Sequence, residues 1–333
     1  MTATHMRAAL YERNGPARDV LQLLEVPMPQ PQAGEVRVRL AASGVNPSDV
    51  KTRGNLRGTG MPFARVIPHS DGAGTIDAVG AGVPAARIGE RVWTWNAAWR
   101  RASGTAAQCV CLPAEQAVAL PDNVEFAAGA CLGIPALTAL HAVRMDGGVA
   151  GKSVLVAGGA GAVGHYAVQM AKLAGASQVI ATVSNEAKSA LALAAGADLT
   201  LNYRDEDVAA RVLVATDGDG VDRIIETDFA ANVGMDFGAV APEGDIVVYG
   251  SGKPEIALPF FPAIVKNIRV RFFIVYNLTR DDRQAAIAQL TGWLKRGLLI
   301  HNVALRLPLD RIAEAHEAVE RGTAPGNVVL DIA

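Results

Sequence analysis

Cysteine is scarce, aromatic residues are few, and neither sign of charge prevails. Three cysteines in 333 residues, Cys109, Cys111 and Cys131, exclude a small disulfide-stapled scaffold and read as free thiols of a reducing compartment. The cytoplasm is the expected location. Lys and Arg number 31 and Asp and Glu 33, for a net charge of -2. A chain without a basic excess or stripe is not expected to bind nucleic acid. No apolar run of about 18 residues escapes glycine or charge, so no membrane partner is expected. The stretch 127–143 comes nearest and is broken by Gly129, Gly133, Pro135 and His141. The opening MTATHMRAAL lacks the long apolar core of a secretory signal. Internal repeats and low-complexity linkers are also missing.

What the chain does have is bulk and periodicity. Half of its residues are hydrophobic, enough for sizeable cores, and its length suggests two domains. The first third carries short alternating segments separated by turn residues, EVRVRLAAS (35–43) being the clearest half-buried strand. From about residue 129 strands and helices alternate: SVLVAG (153–158), QVIATV (178–183), LTLNY (199–203), DRIIET (222–227) and GDIVVYG (244–250) read as buried strands with helices between them. That texture predicts βαβ units and a doubly wound parallel sheet. Two amphipathic helices and a closing strand, NVVLDI, follow and are expected to complete the first domain. The division expected is 1–128 with 268–333, and 129–267, the domains packed together with a cleft between them.

The parallel block opens on VLVAGGAGAVGHYAVQMAKLAGA (154–176). Gly159, Gly161 and Gly164 form a G-x-G-x-x-G that follows a strand and opens a helix, the setting in which the motif signifies a dinucleotide. Gly159 permits the tight turn, Gly161 lets a pyrophosphate approach, and Gly164 lets helix and strand pack closely. The helix N-terminus offers N–H groups and a positive dipole end to the phosphates. An NAD unit usually carries an acid about 20 residues on, at the end of the second strand. Val183-Ser184-Asn185 occupy that place, with Glu186 just beyond. Ser184, Lys188 and Tyr203 supply a hydroxyl, a cation and a phenol, a set better suited to the 2′-phosphate of NADPH. A solvated helix lysine and a strand-end core tyrosine are the plain alternatives.

Several segments together resemble the medium-chain dehydrogenase/reductase superfamily, and within it the zinc-free, zeta-crystallin-like quinone oxidoreductases. They are GVNPSDVKTRG (44–54), PHSDGAGTIDAVGAGV (68–83), GERVW (89–93), AGACLGIPALTAL (128–140), the glycine junction and AEAHEAVERG (313–322). The resemblance implies a GroES-like, partly open β-barrel catalytic domain joined to a Rossmann cofactor domain. It implies that Lys188 and Tyr203 meet the 2′-phosphate, that Asn46 and Thr138 lie beside the nicotinamide, and that Ala162, Val163, Gly250, Ser251, Phe272 and Phe273 add cofactor contacts. At the last strand, where the family often has Gly-Lys, this chain has Gly326-Asn327, which weakens or replaces a contact. The stretch RVRFFIVYN (269–277) falls at the family's dimer interface, so a homodimer is implied; by itself it could be an ordinary strand.

Zinc relatives of this architecture place three metal ligands where this chain has Asn46, Ser70 and Ile134. None can serve as thiolate or imidazole, His69 and Cys131 each miss the positions, and no C-x₂-C-x₂-C is present. No metal is expected. Hydride transfer without a Lewis acid suits acceptors that are already electrophilic, namely quinones and α,β-unsaturated carbonyls. Asn46 can donate an amide N–H to a developing oxyanion, and Asp49 is expected to orient the loop; Asn-Pro-Ser-Asp is also ordinary turn composition. Lys51 could stabilise an oxyanion or deliver a proton, or be a surface lysine. Trp93, Trp95 and Trp99 could border a flat substrate or simply pack. The expected activity is zinc-independent, NADPH-dependent quinone reduction. An enone or enoyl reductase, and an NADPH-binding protein with little turnover, are the alternatives.

Overall fold

The computed structural model describes residues 4–332. Seven strands come first: β1 (His5–Leu10), β2 (Gln22–Pro27), β3 (Glu35–Val45), β4 (Asp71–Val79), β5 (Arg91–Thr94), β6 (Cys109–Pro113) and β7 (Ala117–Ala119). Six more alternate with helices: β8 (Ser153–Val156), β9 (Gln178–Val183), β10 (Leu199–Asn202), β11 (Val221–Glu226), β12 (Val240–Val248) and β13 (Arg269–Phe272). The chain closes with β14 (Val303–Pro308), the helix Ile312–Arg321 and β15 (Asn327–Asp331). Two compact units result, Met1–Ile134 with Thr291–Ala333, and Pro135–Leu290. The fold is that of a GroES-like domain and a Rossmann domain of mixed α/β class.

In the first unit a seven-stranded sheet runs β14-β15-β3-β4-β5-β7, with β6 also paired to β3. β3 organises it. Its first half alternates, Val36, Val38 and Leu40 turning into the core with Ile76, Val92 and Leu112, while Arg37 and Arg39 turn out and share Asp77. Each such buried aliphatic contributes roughly 1.5–3 kcal/mol. Beyond Ala42 the alternation stops, and Ser43, Gly44, Val45 and Asn46 are all buried. A side chain at Gly44 would stand 2.1 Å from the Ala130 carbonyl, so only glycine lets this strand end lie against residue 130. That close approach carries Asn46 into the interior.

The second unit is a six-stranded parallel sheet in the order β10-β9-β8-β11-β12-β13. Its central strands are apolar on both faces, as a sheet covered by helices requires. The winding reverses between β8 and β11, and in open α/β sheets such a switch point is where ligands bind. β13 pairs in parallel with β12, so the boundary expected at residue 268 moves to Leu290. The ladder with β12 holds 269–272 in this sheet, and the expected run 269–277 ends at Phe272, followed by a 3₁₀ turn over Val275–Asn277. Among the described residues no helix is long and apolar enough to cross a membrane.

Candidate functional site

In the first unit Asn46 caps the helix Pro47–Arg53, and Pro47 fits the first helical position because its missing N–H is not needed there. The Asn46 backbone N–H donates to Asp49 Oδ2 at 2.8 Å, and its side-chain Nδ2 donates to Asp71 Oδ2 at 2.9 Å. Ile134 N–H reaches the same Asp71 oxygen at 3.0 Å, presented by a π-turn over Leu132–Ala136 in which Pro135 has no N–H to give. Gly133 makes room for this, since a Cβ there would lie 2.2 Å from Asp71 Oδ1.

Both carboxyls are buried. Burial pushes Asp71 well above the carboxylate range, with Asp49 adding repulsion. With two donors on Oδ2 and none on Oδ1, the proton of the neutral acid belongs on Oδ1. Burial raises Asp49 to about 7, against the pull of donors from Asn46 and the His69 backbone N–H and of the Arg57 charge. Positions 46 and 134 are thus tied together by Asp71, which the sequence reading passed over; Ser70, next to it, is buried. Lys51 is half-buried on the same helix as Asp49. Trp93 is wholly buried in β5, paired with Ala73 and Val118, and Trp95 is buried too, while Trp99 is half-buried beside Arg100.

In the second unit the glycine junction follows β8. The tight turn is made by Gly158, at φ 69°, one residue before the expected Gly159. Gly159 is small for packing, a Cβ there lying 2.5 Å from Ala181 Cβ of β9. Gly164 lets the helix Gly164–Leu173 start against the turn, a Cβ lying 2.1 Å from Gly158 O. Gly161 differs: its nearest neighbour would be Gly158 O at 3.2 Å, so packing demands little of it. Ala162 and Val163 complete the turn, half-exposed. Thr182, absent from the sequence expectations, pins the turn through Oγ1 to Gly158 N–H at 2.9 Å.

A cavity of about 790 Å³ opens here, lined by Gly158, Thr182, Tyr203, Asp207, Thr227 and Asp228 among others. Tyr203 is 53 % exposed. Ser184 and Lys188 lie outside the lining, although Ser184 Oγ is buried without a partner. Lys188 is held by its backbone N–H on the Asn185 cap at 2.9 Å. The acids of the cavity are engaged: Asp207 caps the helix Val208–Ala215 through Ala210 N–H at 3.1 Å, and Glu206 accepts from Asn202 N–H at 2.7 Å and pairs with Arg211. On the helix Phe229–Ala239, burial and the charge of Glu226 at the end of β11 raise Asp236 to about 9.

Of the remaining expected contacts, Thr138 is buried on the helix Leu137–Arg144. Gly250 abuts the Thr227 carbonyl, where a Cβ would come within 2.1 Å, and Ser251 Oγ closes a turn on Lys253 O at 2.7 Å. Phe273 packs edge-on to His141 at 4.8 Å, and Phe272 is 64 % exposed beside Phe229. Asn327 belongs to the first unit, its Nδ2 committed to Asn302 O at 3.1 Å. Among the described residues no group of three or more His, Cys, Asp or Glu could hold a metal.

The pattern of the alcohol dehydrogenase GroES-like domain matches residues 32–122, and that of the zinc-binding dehydrogenase family matches 162–292. A quinone oxidoreductase of Homo sapiens is 30% identical over 98% of this chain and 97% of its own. A 2-haloacrylate reductase of a Burkholderia species is 30% identical over 98% of each chain. A mycobacterial protein solved in complex with NADPH superposes with a TM-score of 0.87 at 27% identity, over 98% of this chain and 99% of that one.

Proposed function

Because the chain belongs to the quinone oxidoreductase family of the medium-chain dehydrogenase/reductase superfamily and is an NAD(P)H-dependent oxidoreductase, we propose that it reduces quinones with NADPH and without zinc. The observation that carries the NADPH reading is the orphaned, buried Ser184 hydroxyl at the end of β9, where an NAD site would hold an acid. A 2′-phosphate would give that hydroxyl an acceptor and Lys188 a counter-charge. The nearby carboxylates, Glu206 and Asp207, already have partners of their own. Gly161 leaves its backbone open to a pyrophosphate. When bound, the nicotinamide supplies the hydride.

The donor set argues the same way against zinc. An amide, a hydroxyl and an isoleucine stand at the three ligand positions of zinc relatives, and the amide is spent partly on Asp71. An amide nitrogen has two hydrogens; one goes to Asp71 and the side chain also bonds the Asp49 carboxyl, so Asn46 donates to an oxyanion forming on the acceptor by exchanging the Asp49 contact for it. Similarity to a 2-haloacrylate reductase favours a second reading, reduction of an activated C=C bond by the same groups. We also read the protein as a homodimer. β13 is a sheet edge, and Phe272, Phe260, Phe261, Ile264 and Val265 around and before it are exposed, a combination that needs cover.

NADPH oxidation at 340 nm against 1,4-benzoquinone, 9,10-phenanthrenequinone, an enone and crotonyl-CoA, with NADH in parallel, tests the reading. Quinone turnover is expected with NADPH well ahead of NADH, and Lys188→Ala is expected to raise KM for NADPH roughly tenfold while leaving NADH unchanged. Faster turnover of the enone or thioester would move the protein to the second reading. Equal use of NADH would overturn the Ser184 and Lys188 assignment.

A further inference from the structure

Two histidines that the proposed chemistry does not use lie buried in the first unit. His69, between the loop and β4, and His316, on the helix Ile312–Arg321, are both fully buried and place Nε2 against Nε2 at 2.9 Å. His69 Nδ1 is 2.9 Å from Ser43 Oγ, Ser43 Oγ is 2.7 Å from Thr105 Oγ1, and Thr105 Oγ1 donates to the Asp71 carbonyl at 2.6 Å. The last bond fixes the direction of the rest. Thr105 has spent its hydrogen on a carbonyl, so it accepts from Ser43. Ser43 has then spent its own, so His69 Nδ1–H donates to Ser43. A neutral imidazole carries one N–H, so His69 Nε2 is bare and accepts from His316 Nε2–H. His316 Nδ1 is left bare, and it is indeed buried without a partner. Burial lowers the pKa of both rings, His69 to about 3, so both are neutral as the chain of bonds requires.

His69 is also a non-glycine residue with φ 77°, a left-handed conformation that persists only where its surroundings enforce it. In that conformation its backbone N–H donates to the Asp49 carboxyl, which in turn accepts the Asn46 N–H. The ring bonds on either side, Ser43 at Nδ1 and His316 at Nε2, hold the ring, and the Thr105 N–H, which donates to the His69 carbonyl at 2.9 Å, ties the backbone beside them. The helix of His316 is anchored to the helix of Asp49 by the Arg53–Glu320 pair, and Arg53 also binds the Gly15 carbonyl.

We propose that His316 is a positioning residue of the Asn46 site: through the Nε2–H bond to His69 it pins the left-handed backbone whose N–H holds Asp49, and Asp49 fixes Asn46. The inference rests on the proposed role of Asn46. The groups facing Asp49 are Asp71, Arg57 and Tyr11, and those facing His316 are His69 and Arg53.

The test compares His316→Leu, His316→Gln and the double variant His69→Gly/His316→Leu in the full-length protein. Turnover is read in the NADPH–quinone assay, and the Asp49 titration by carboxyl ¹³C NMR without substrate. His316→Leu is expected to lower kcat roughly tenfold with KM for NADPH unchanged, and to move the Asp49 titration upward as a donor to its ionised form is lost. His316→Gln, whose amide can donate in place of Nε2–H, is expected to recover most of the turnover. So is the double variant, since glycine takes φ 77° without a ring to pin it. Wild-type turnover and an unmoved Asp49 titration in His316→Leu would overturn the proposal. If that variant does not fold, a double variant as slow as an Asn46→Ala enzyme, with Asp49 titrating above its wild-type position, would overturn it. Should wild type reduce no quinone, the functional reading fails, while the Asp49 titration still decides this one.

Discussion

Asp49 shows how one side chain sets opposing demands. Its carboxyl titrates near 7 in the folded protein because burial outweighs three donors and a nearby arginine, whereas in the unfolded chain it titrates near its usual ~3.9. The folded state therefore binds the extra proton between those values, and Asp49 costs stability as pH rises from about 4 through about 7. Asp49→Asn removes that loss. Urea unfolding is expected to show the variant and wild type differing little at pH 4, and the variant gaining on the order of 2–4 kcal/mol relative to wild type by pH 8. His69 works on the other side: its folded value near 3 lies below the unfolded ~6.5, so its contribution is complete above about 6.5 and falls away as pH drops toward 3. The donors all point at the Asp49 oxygens, so turnover should decline below about pH 7, where the carboxylate that accepts them is lost. Asn46 and Asp49 were legible in the sequence through the resemblance that GVNPSDVKTRG carries, while the four residues themselves read as a turn; the helix they start, with its N-cap, proline at N1 and acid at N3, appears only in the structure. Asp71, His69 and His316 were not, since their roles arise from contacts between segments far apart in the chain.

At the scale of the element, the glycine junction separates two uses of a missing side chain. Gly164 and Gly161 look alike in the motif, yet a Cβ at Gly164 would strike a backbone oxygen at 2.1 Å while one at Gly161 meets nothing nearer than 3.2 Å. Gly164→Ala is expected to cost about 1–3 kcal/mol of stability by displacing the turn, and to weaken NADPH binding as a consequence. Gly161→Ala is expected to leave the melting temperature within a few degrees and to weaken NADPH binding by at least as much, since the space it fills is that of the ligand. Calorimetric melting and NADPH titration on the two variants separate these outcomes. Strands and helices of this unit were readable because their apolar periodicity is local. The positive φ at Gly158 rather than Gly159 was not, because two adjacent glycines carry no local signal of which one bends.

At the scale of the molecule, the parallel sheet ends at β13 with an exposed edge and a run of exposed apolar residues in the preceding helix Phe260–Val265. Light scattering is expected to report a dimer, and Phe261→Glu/Val265→Glu a monomer that keeps its melting transition, because both side chains are more than two-thirds exposed in the single chain. The domain boundary at 290 escaped the sequence because β13 carries only the first four residues of a nine-residue run, 269–277, that reads as a strand throughout; the ladder with β12 decides it.

The second unit is built from one uninterrupted stretch of chain, but the first is split. β3, which leads into Asn46, takes β15 as its neighbour across Ala42–Val45, and β15 is synthesised almost a whole chain length later. At roughly 5–20 residues per second, translation leaves that flank of β3 unpaired for on the order of 15–60 s. Birth order thus leaves the Asn46 end of β3 without its last neighbour until translation is nearly done, at a time when the second unit already has its whole stretch of chain.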